Sequence, residues 1–165
     1  MKAPGRVMEK EKVLEELFGL FVREEIPAEV RAAIATHFGE QHYLLAKEAV
    51  IAGLSDKDSM VRDACIGALA NDWQLEEVGP KLIEIMENDP QDFVRMDAAQ
   101  GLGSIRYTEA LPALKRVILE SSDDEALRDL AYEAVLSILG KDNYDILEEG
   151  VDKPTLIDWE LVRSL

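Results

Sequence analysis

Two histidines and one cysteine are the side chains most readily associated with metal binding or nucleophilic catalysis. His37 and His42 are five residues apart, whereas zinc ligands on one helix prefer a spacing of three or four, and no cysteine lies near them. Cys65 falls in an apolar register and is expected to be a small buried residue rather than a nucleophile. We find no phosphate-binding glycine loop and no serine–histidine–aspartate grouping. We therefore expect no catalytic residue, no metal ligand and no cofactor, and we interpret the chain as a non-enzyme.

Four arginines recur at an almost constant spacing and are the most regular polar feature. They are Arg31, Arg62, Arg95 and Arg128, separated by 31, 33 and 33 residues. Each follows a valine or leucine, and an acid comes shortly before it: Glu29, Asp58, Asp92 and Asp124. An exposed row of arginines could bind anions. We favour a structural role, in which each arginine pairs with a nearby aspartate and with carbonyl groups of the adjacent repeat.

Acidic residues outnumber basic ones, 34 to 18, which gives a formal net charge of −16. So negative a surface repels phosphate backbones, which argues against nucleic acid as the main partner. Residues 120–152 contain 11 acids and 2 bases, and residues 72–97 contain 8 acids and 2 bases. A solvated acidic face is the simplest interpretation. The alternative is a surface that steers a basic protein.

A few residues are candidates for contact with such a partner. Second helices usually line the concave side of a helical repeat array, and the carboxylates there are Glu84, Glu87, Glu148 and Glu149. Trp73 lies in an expected inter-helix turn, where a large aromatic side chain could either pack across the turn or anchor a partner.

The repeated segments predict helices with one buried face. The third residue after each arginine is Ile34, Cys65, Ala98 or Ala131, and the seventh is Phe38, Leu69, Leu102 or Val135. This spacing places apolar groups on one side of a helix. Second helical patterns cover 42–53, 75–88 and 108–121, and the segment around 10–25 resembles them. Pro27, Gly39, Gly53, Gly140 and the Asn88–Pro90 segment indicate turns.

Helix pairs of this size cannot bury both faces alone and must stack on their neighbours. The sequence therefore predicts an all-α fold, a right-handed α-solenoid of about four helix pairs with terminal capping helices. We expect one repeat domain over residues 1–165, with a capping helix in 1–27, repeats in 28–140 and a cap or tail in 141–165. The N-terminus is charged, and no apolar run reaches the roughly 20 residues that a membrane span needs. We therefore expect a soluble, cytoplasmic protein.

The motif formed by Asp58, Val61 and Arg62, together with the segment 110–114 (Ala-Leu-Pro-Ala-Leu), resembles the HEAT-repeat family over about residues 28–140. It is most similar to the short bacterial and archaeal repeats that also occur in phycobilisome lyase subunits. The resemblance implies an α-solenoid, and this scaffold hosts unrelated activities.

Three functions follow as hypotheses. The first is a non-enzymatic interaction module that binds a basic protein or peptide on an acidic concave surface. The second is an immunity or inhibitor protein that neutralises a basic toxin. The third, implied by the resemblance alone, is a lyase-like enzyme subunit.

Overall fold

The computed structural model describes residues 4–120, 124–141 and 157–165, with side chains from Glu9 onward. The described residues form helices and turns only. Contacts within the chain divide it into two compact units, Met1–Trp73 and Gln74–Leu165. In the described part of the chain, no helix has both the length and the apolar character that crossing a membrane requires.

The first unit is built from four helices. They are α1 (Pro4–Phe21), α2 (Ala28–Glu40), α3 (Lys47–Gly53) and α4 (Ser59–Ile66). A 3₁₀ turn, Leu44–Ala46, leads into α3, and a π-helical turn, Gly67–Asp72, extends α4. Helix α2 packs against both α1 and α4. The predicted helices around 10–25 and 42–53 are therefore confirmed.

As in the first unit, the helices that carry the repeated arginines, here called first helices, alternate with second helices that are entered through 3₁₀ turns. Its helices are α5 (Gly79–Asn88), α6 (Asp92–Ser104), α7 (Leu111–Glu120), α8 (Glu125–Ile138) and α9 (Trp159–Ser164). The 3₁₀ turns Glu76–Val78 and Thr108–Ala110 precede α5 and α7. Helix α6 packs on α5 and α8, and α7 packs on α8 and α9.

Local chemistry accounts for the starts of α4, α5 and α8. The Asp58 side chain accepts a hydrogen bond from the Met60 N–H, and Asp124 accepts one from the Leu127 N–H. Each carboxylate thereby satisfies a donor that has no partner within its helix. Pro80 lies in the first turn of α5, where its missing N–H costs nothing.

The apolar registers predicted from the repeat form the core. Phe38, Leu69, Leu102 and Val135, the seventh residues after the arginines, have no solvent exposure at all. Ile34, Cys65, Ala98 and Ala131 are also buried. A period set by local sequence thus selects the face that each helix turns inward.

A residue in the left-handed conformation lies two positions after the end of α2, of the π-helical turn that extends α4, and of α6. His42, Gln74 and Arg106 have φ of 50°, 52° and 51°, and Gly140 has φ of 64° after α8. At the end of α2, the His42 N–H donates to Gly39 O and the Tyr43 N–H to Phe38 O. Such paired bonds satisfy the last free carbonyls of a helix.

Small residues let neighbouring first helices approach closely. A Cβ atom on Gly103 would lie 2.9 Å from Cα of Ala134, and one on Gly39 would lie 3.0 Å from Cα of Ala68. The expectation of a turn at Gly39 is wrong, because α2 continues through Glu40 and Gly39 is buried inside it. Its role is helix packing, where the absence of a side chain matters more than backbone freedom.

The π-helical turn accommodates one additional residue. The segment from Arg62 to Gln74 is one residue longer than the segment from Arg31 to His42, although both end in the same left-handed conformation. The Trp73 N–H donates to Ala68 O, five residues earlier, at 3.0 Å. A single insertion is absorbed in this way without moving the following helix out of register.

Candidate functional site

The repeated arginines lie in ion pairs and hydrogen bonds rather than in an open anion site. In the first unit, the guanidinium of Arg31 forms a two-pronged pair with the Asp56 carboxylate and donates from Nε to Ile26 O at 3.3 Å. Arg62 donates to the carbonyl oxygens of Asp56 and Lys57 at 2.9 and 3.3 Å. Arg31 and Arg62 are only 5% and 8% exposed. Charges so enclosed are compensated within the protein.

The second unit repeats this arrangement with different acids. Arg95 lies 3.0 Å from Asp92 and also 3.0 Å from Asp124, which caps the next first helix. Arg128 lies 3.5 Å from Glu125 and 3.7 Å from Asp129. The predicted ladder is therefore present in part. Arg95 and Arg128 lie beside the nearby aspartates Asp92 and Asp129, as expected. Asp58, which was expected to pair with Arg62, instead accepts from the Met60 N–H, and Arg62 donates to carbonyl oxygens.

Asp56 is the partner that the sequence interpretation missed. Burial raises the pKa of its carboxyl, but the hydrogen bond from Arg31, the bond from the Asp58 N–H and the charge of Arg31 together hold that pKa below the usual range. Asp89 recurs at the same place in the next repeat and accepts from the Gln91 N–H, as Asp56 does from Asp58. The sequence signal for these two sites was an aspartate two residues before the cap position, Asp56 before Asp58 and Asp89 before Gln91.

The histidines and the cysteine lie apart from any metal-binding geometry. His37 is in α2 with Nδ1 3.7 Å from the Glu40 carboxylate, and His42 occupies the turn that follows. Within the described residues, no three histidine, cysteine, aspartate or glutamate side chains are grouped as metal ligands would be. Cys65 is fully buried, and burial strongly raises the pKa of its thiol. A protonated, enclosed thiol is a poor nucleophile.

The predicted contact carboxylates that the structure describes lie on α5. Glu84 is exposed and pairs with Lys81 at 3.0 Å, one turn earlier on the same helix. Glu87 pairs with Arg116 of α7, which links the two second helices on their solvent side. Glu148 and Glu149 lie outside the described residues. Both described glutamates are thus accessible, and each already has one cationic neighbour.

Trp73 lies at the end of the first unit, directly after the π-helical turn. Its ring is half-buried, and its Nε1 atom is enclosed without a hydrogen-bond partner among the described residues. A partner could therefore reach the ring but not the indole N–H.

The acidic excess is concentrated in the second unit. Residues 74–165 contain 21 acids and 9 bases, whereas residues 1–73 contain 13 acids and 9 bases. Asp97 and Glu133, on the first helices α6 and α8, are half-buried and have no ion pair with any residue that the structure describes. Carboxylates of this kind keep their charge available to a cationic partner.

Comparison with protein-family models matches the chain twice to HEAT repeats, over residues 16–102 and 79–165. No curated protein and no solved structure matches the chain significantly. Two matches that cover most of the sequence agree with the alternating helices and confirm the all-α solenoid class. HEAT repeats generally mediate protein–protein interaction and scaffolding. The chain belongs to the HEAT-repeat family.

Proposed function

We propose that the protein is a non-enzymatic scaffold that binds a basic partner protein through the acidic surface of its second unit. The observation that carries the proposal is the excess of 21 acids over 9 bases in residues 74–165, on a repeat scaffold used for protein binding. Carboxylates fixed on rigid helices steer a cationic protein toward them and raise its association rate.

The proposed contact face is formed by the second helices α5 and α7. Glu84 and Glu87 contribute the carboxylates, and the Glu87–Arg116 pair orients one of them across the two helices. Exposed ion pairs contribute little to stability, so a partner arginine can displace Lys81 or Arg116 at little cost. Glu148, Glu149 and the half-buried ring of Trp73 are further proposed contacts.

The test is capture by the immobilised full-length chain, followed by charge reversal on α5. A double variant, Glu84→Lys with Glu87→Lys, is compared with Glu15→Lys with Glu16→Lys on α1. The control is matched, because Glu16 also has a lysine neighbour on its own helix, Lys12 at 4.0 Å, and both variants change the net charge equally.

We expect the wild-type chain to retain a basic protein from its native lysate at 50 mM NaCl and to release it at 300 mM. The α5 variant should lose at least about tenfold in affinity and the α1 control less than about twofold. Equal losses in both variants would show that only net charge matters, and retention that does not respond to salt would contradict the proposal.

An inhibitor of a basic toxin is a second candidate, favoured by the same acidic excess. If the captured protein is a nuclease, stoichiometric loss of its activity on adding the chain would support inhibition over scaffolding.

A lyase-like subunit makes a different prediction, because adding bilin should then change the absorbance spectrum. An unchanged spectrum would dismiss that candidate.

A further inference from the structure

A shallow groove runs between the first helices α6 and α8 of the second unit. Gly103 and Ala134 line the groove and are buried, and a Cβ atom on Gly103 would lie 2.9 Å from Cα of Ala134. Its volume is about 170 Å³, smaller than the roughly 300–1,000 Å³ clefts that hold drug-sized ligands. The groove is therefore suited to one side chain of a partner rather than to a cofactor or substrate.

The walls of the groove carry polar groups that the fold itself does not use. Gln100 and Ser104 lie on α6 with the spacing of one helical turn, and Glu133 and Ser137 face them from α8. No hydrogen bond or ion pair joins these four side chains to any other described residue. Hydroxyl groups inside helices can also bond to a backbone carbonyl one turn earlier, as Thr36 does to Ala32 O at 3.2 Å, but Ser104 and Ser137 bond to no described carbonyl.

The charge and shape of the groove select its occupant. Glu133 is half-buried and anionic, and the amide and two hydroxyl oxygens add neutral acceptors around it. Leu130 lines the same groove and offers an apolar contact for methylene groups. A guanidinium presents five donors in a flat fork that matches a carboxylate with flanking acceptors, whereas an ammonium presents three around a point.

We propose that the groove between α6 and α8 receives an arginine side chain of the basic partner, with its guanidinium on the Glu133 carboxylate. The inference rests on the proposed function and adds to it a second contact, on the first helices α6 and α8, beside the proposed face of α5 and α7. The Ser104 and Ser137 hydroxyls and the Gln100 carbonyl accept the remaining N–H donors. The arginine methylenes lie along Leu130.

The experiment is a titration of the ¹⁵N-labelled full-length chain with a capped pentapeptide, acetyl-Gly-Ser-Arg-Ser-Gly-amide, followed by amide chemical shifts. We expect saturable shifts at Gln100, Ser104 and Ser137. The same peptide with lysine in place of arginine should bind at least about threefold more weakly. Glu133→Gln should weaken arginine-peptide binding about tenfold, because it removes the charge from the hydrogen bond.

Glu160→Gln on α9 is the matched control, because it removes one exposed carboxylate of the same unit outside both the groove and the proposed face of α5 and α7. It should change the dissociation constant less than about twofold. Gln100→Ala, at an exposed position, provides a second test in case Glu133→Gln does not fold, and should weaken binding about threefold.

The proposal is overturned if the arginine peptide shifts no amides on α6 and α8, if the lysine peptide binds equally tightly, or if Glu160→Gln weakens binding as much as Glu133→Gln. Failure of this inference is distinguishable from failure of the proposed function. If the groove does not bind the arginine peptide but charge reversal on α5 still abolishes capture, this inference fails while the proposed scaffold function remains supported.

Discussion

The Asp56 carboxylate illustrates how a single side chain connects two repeats. It lies between α3 and α4, yet its partner is Arg31 on α2, 25 residues earlier. Both groups are largely buried, with 16% and 6% of their side chains exposed. Removing one member leaves the other charge buried without its partner. This lowers the free energy of unfolding more than replacing both members by apolar residues would.

We predict that Asp56→Asn lowers the free energy of unfolding at pH 7 by about 2–4 kcal/mol. The pKa of Asp56 is lowered in the folded protein, so its contribution is complete above its unfolded pKa of about 3.9 and is lost as the pH falls through the folded value. Urea denaturation between pH 7 and pH 2.5 should therefore show a smaller acid loss in the variant than in the wild type.

Glu16→Gln, at an exposed carboxylate of α1, should leave that acid profile unchanged. Parallel acid profiles for the wild type and Asp56→Asn would contradict the assigned role of the pair.

The residues with a left-handed backbone conformation after the helices also affect the stability of the protein. His42 is exposed and has φ of 50°, a conformation that costs an L-residue about 1–2 kcal/mol. His42→Gly removes this strain but gives the unfolded chain more freedom, which costs about 0.4–1 kcal/mol. We expect a net gain of about 0.5–1 kcal/mol in chemical denaturation.

Gly140→Ala is the converse test, because no atom lies within 4 Å of the added Cβ and only the backbone conformation changes. A loss of about 1 kcal/mol is expected. The same sign for both substitutions would contradict the explanation by backbone strain.

At the scale of the helices, small residues set how closely first helices pack. Gly103 on α6 faces Ala134 on α8, and Gly39 on α2 faces Ala68 in the turn after α4. These are equivalent positions in two repeats, so the same pair of small residues produces the same close approach in each unit. Gly103 and Ala134 also line the groove between α6 and α8.

We predict that Gly103→Ala destabilises the protein by about 1 kcal/mol or more, because overpacking costs about 1–3 kcal/mol and exceeds the gain in helix propensity. The contacting atom is backbone at 2.9 Å, so relief requires the two helices to move apart. Thermal and urea unfolding would measure the change.

Gly19→Ala in α1 is the control, because its Cβ meets nothing within 4 Å. It should stabilise by about 0.5–1 kcal/mol through helix propensity alone. A stabilising effect of Gly103→Ala equal to that of Gly19→Ala would show that the close packing is unimportant.

For the whole molecule, a net charge of −16 on 165 residues means that like charges repel one another in the folded state. The Debye length falls from about 30 Å at 0.01 M salt to about 8 Å at 0.15 M, so salt removes this long-range repulsion before it weakens the buried arginine pairs.

We predict that raising NaCl from 10 to 150 mM increases the thermal midpoint by about 2–4 °C, as expected for roughly 1 kcal/mol in a protein of this size. A triple variant, Glu76→Gln, Glu120→Gln and Glu160→Gln, removes exposed carboxylates and should respond less. A midpoint that falls with salt would show that attractive ion pairs outweigh the net charge.

The helical class, the repeat and the buried registers can all be predicted from the amino-acid sequence. Residues such as Phe38 and Leu102 are buried where the period predicts, because the position of a side chain around a helix depends only on local spacing. The capping roles of Asp58 and Asp124 were likewise readable, because a cap and the N–H groups it binds are two or three residues apart.

Contacts between side chains on different helices could not be predicted in this way, because they depend on how the helices pack. Arg31 with Asp56, Arg95 with Asp124 and Glu87 with Arg116 each join residues 25 to 29 positions apart, and local periodicity carries no information about such distances. The same holds for the groove walls, because Ser104 and Ser137 come together only when α6 packs on α8. The charged residues can be counted from the sequence, whereas the ion pairs that they form depend on the arrangement of the helices in space.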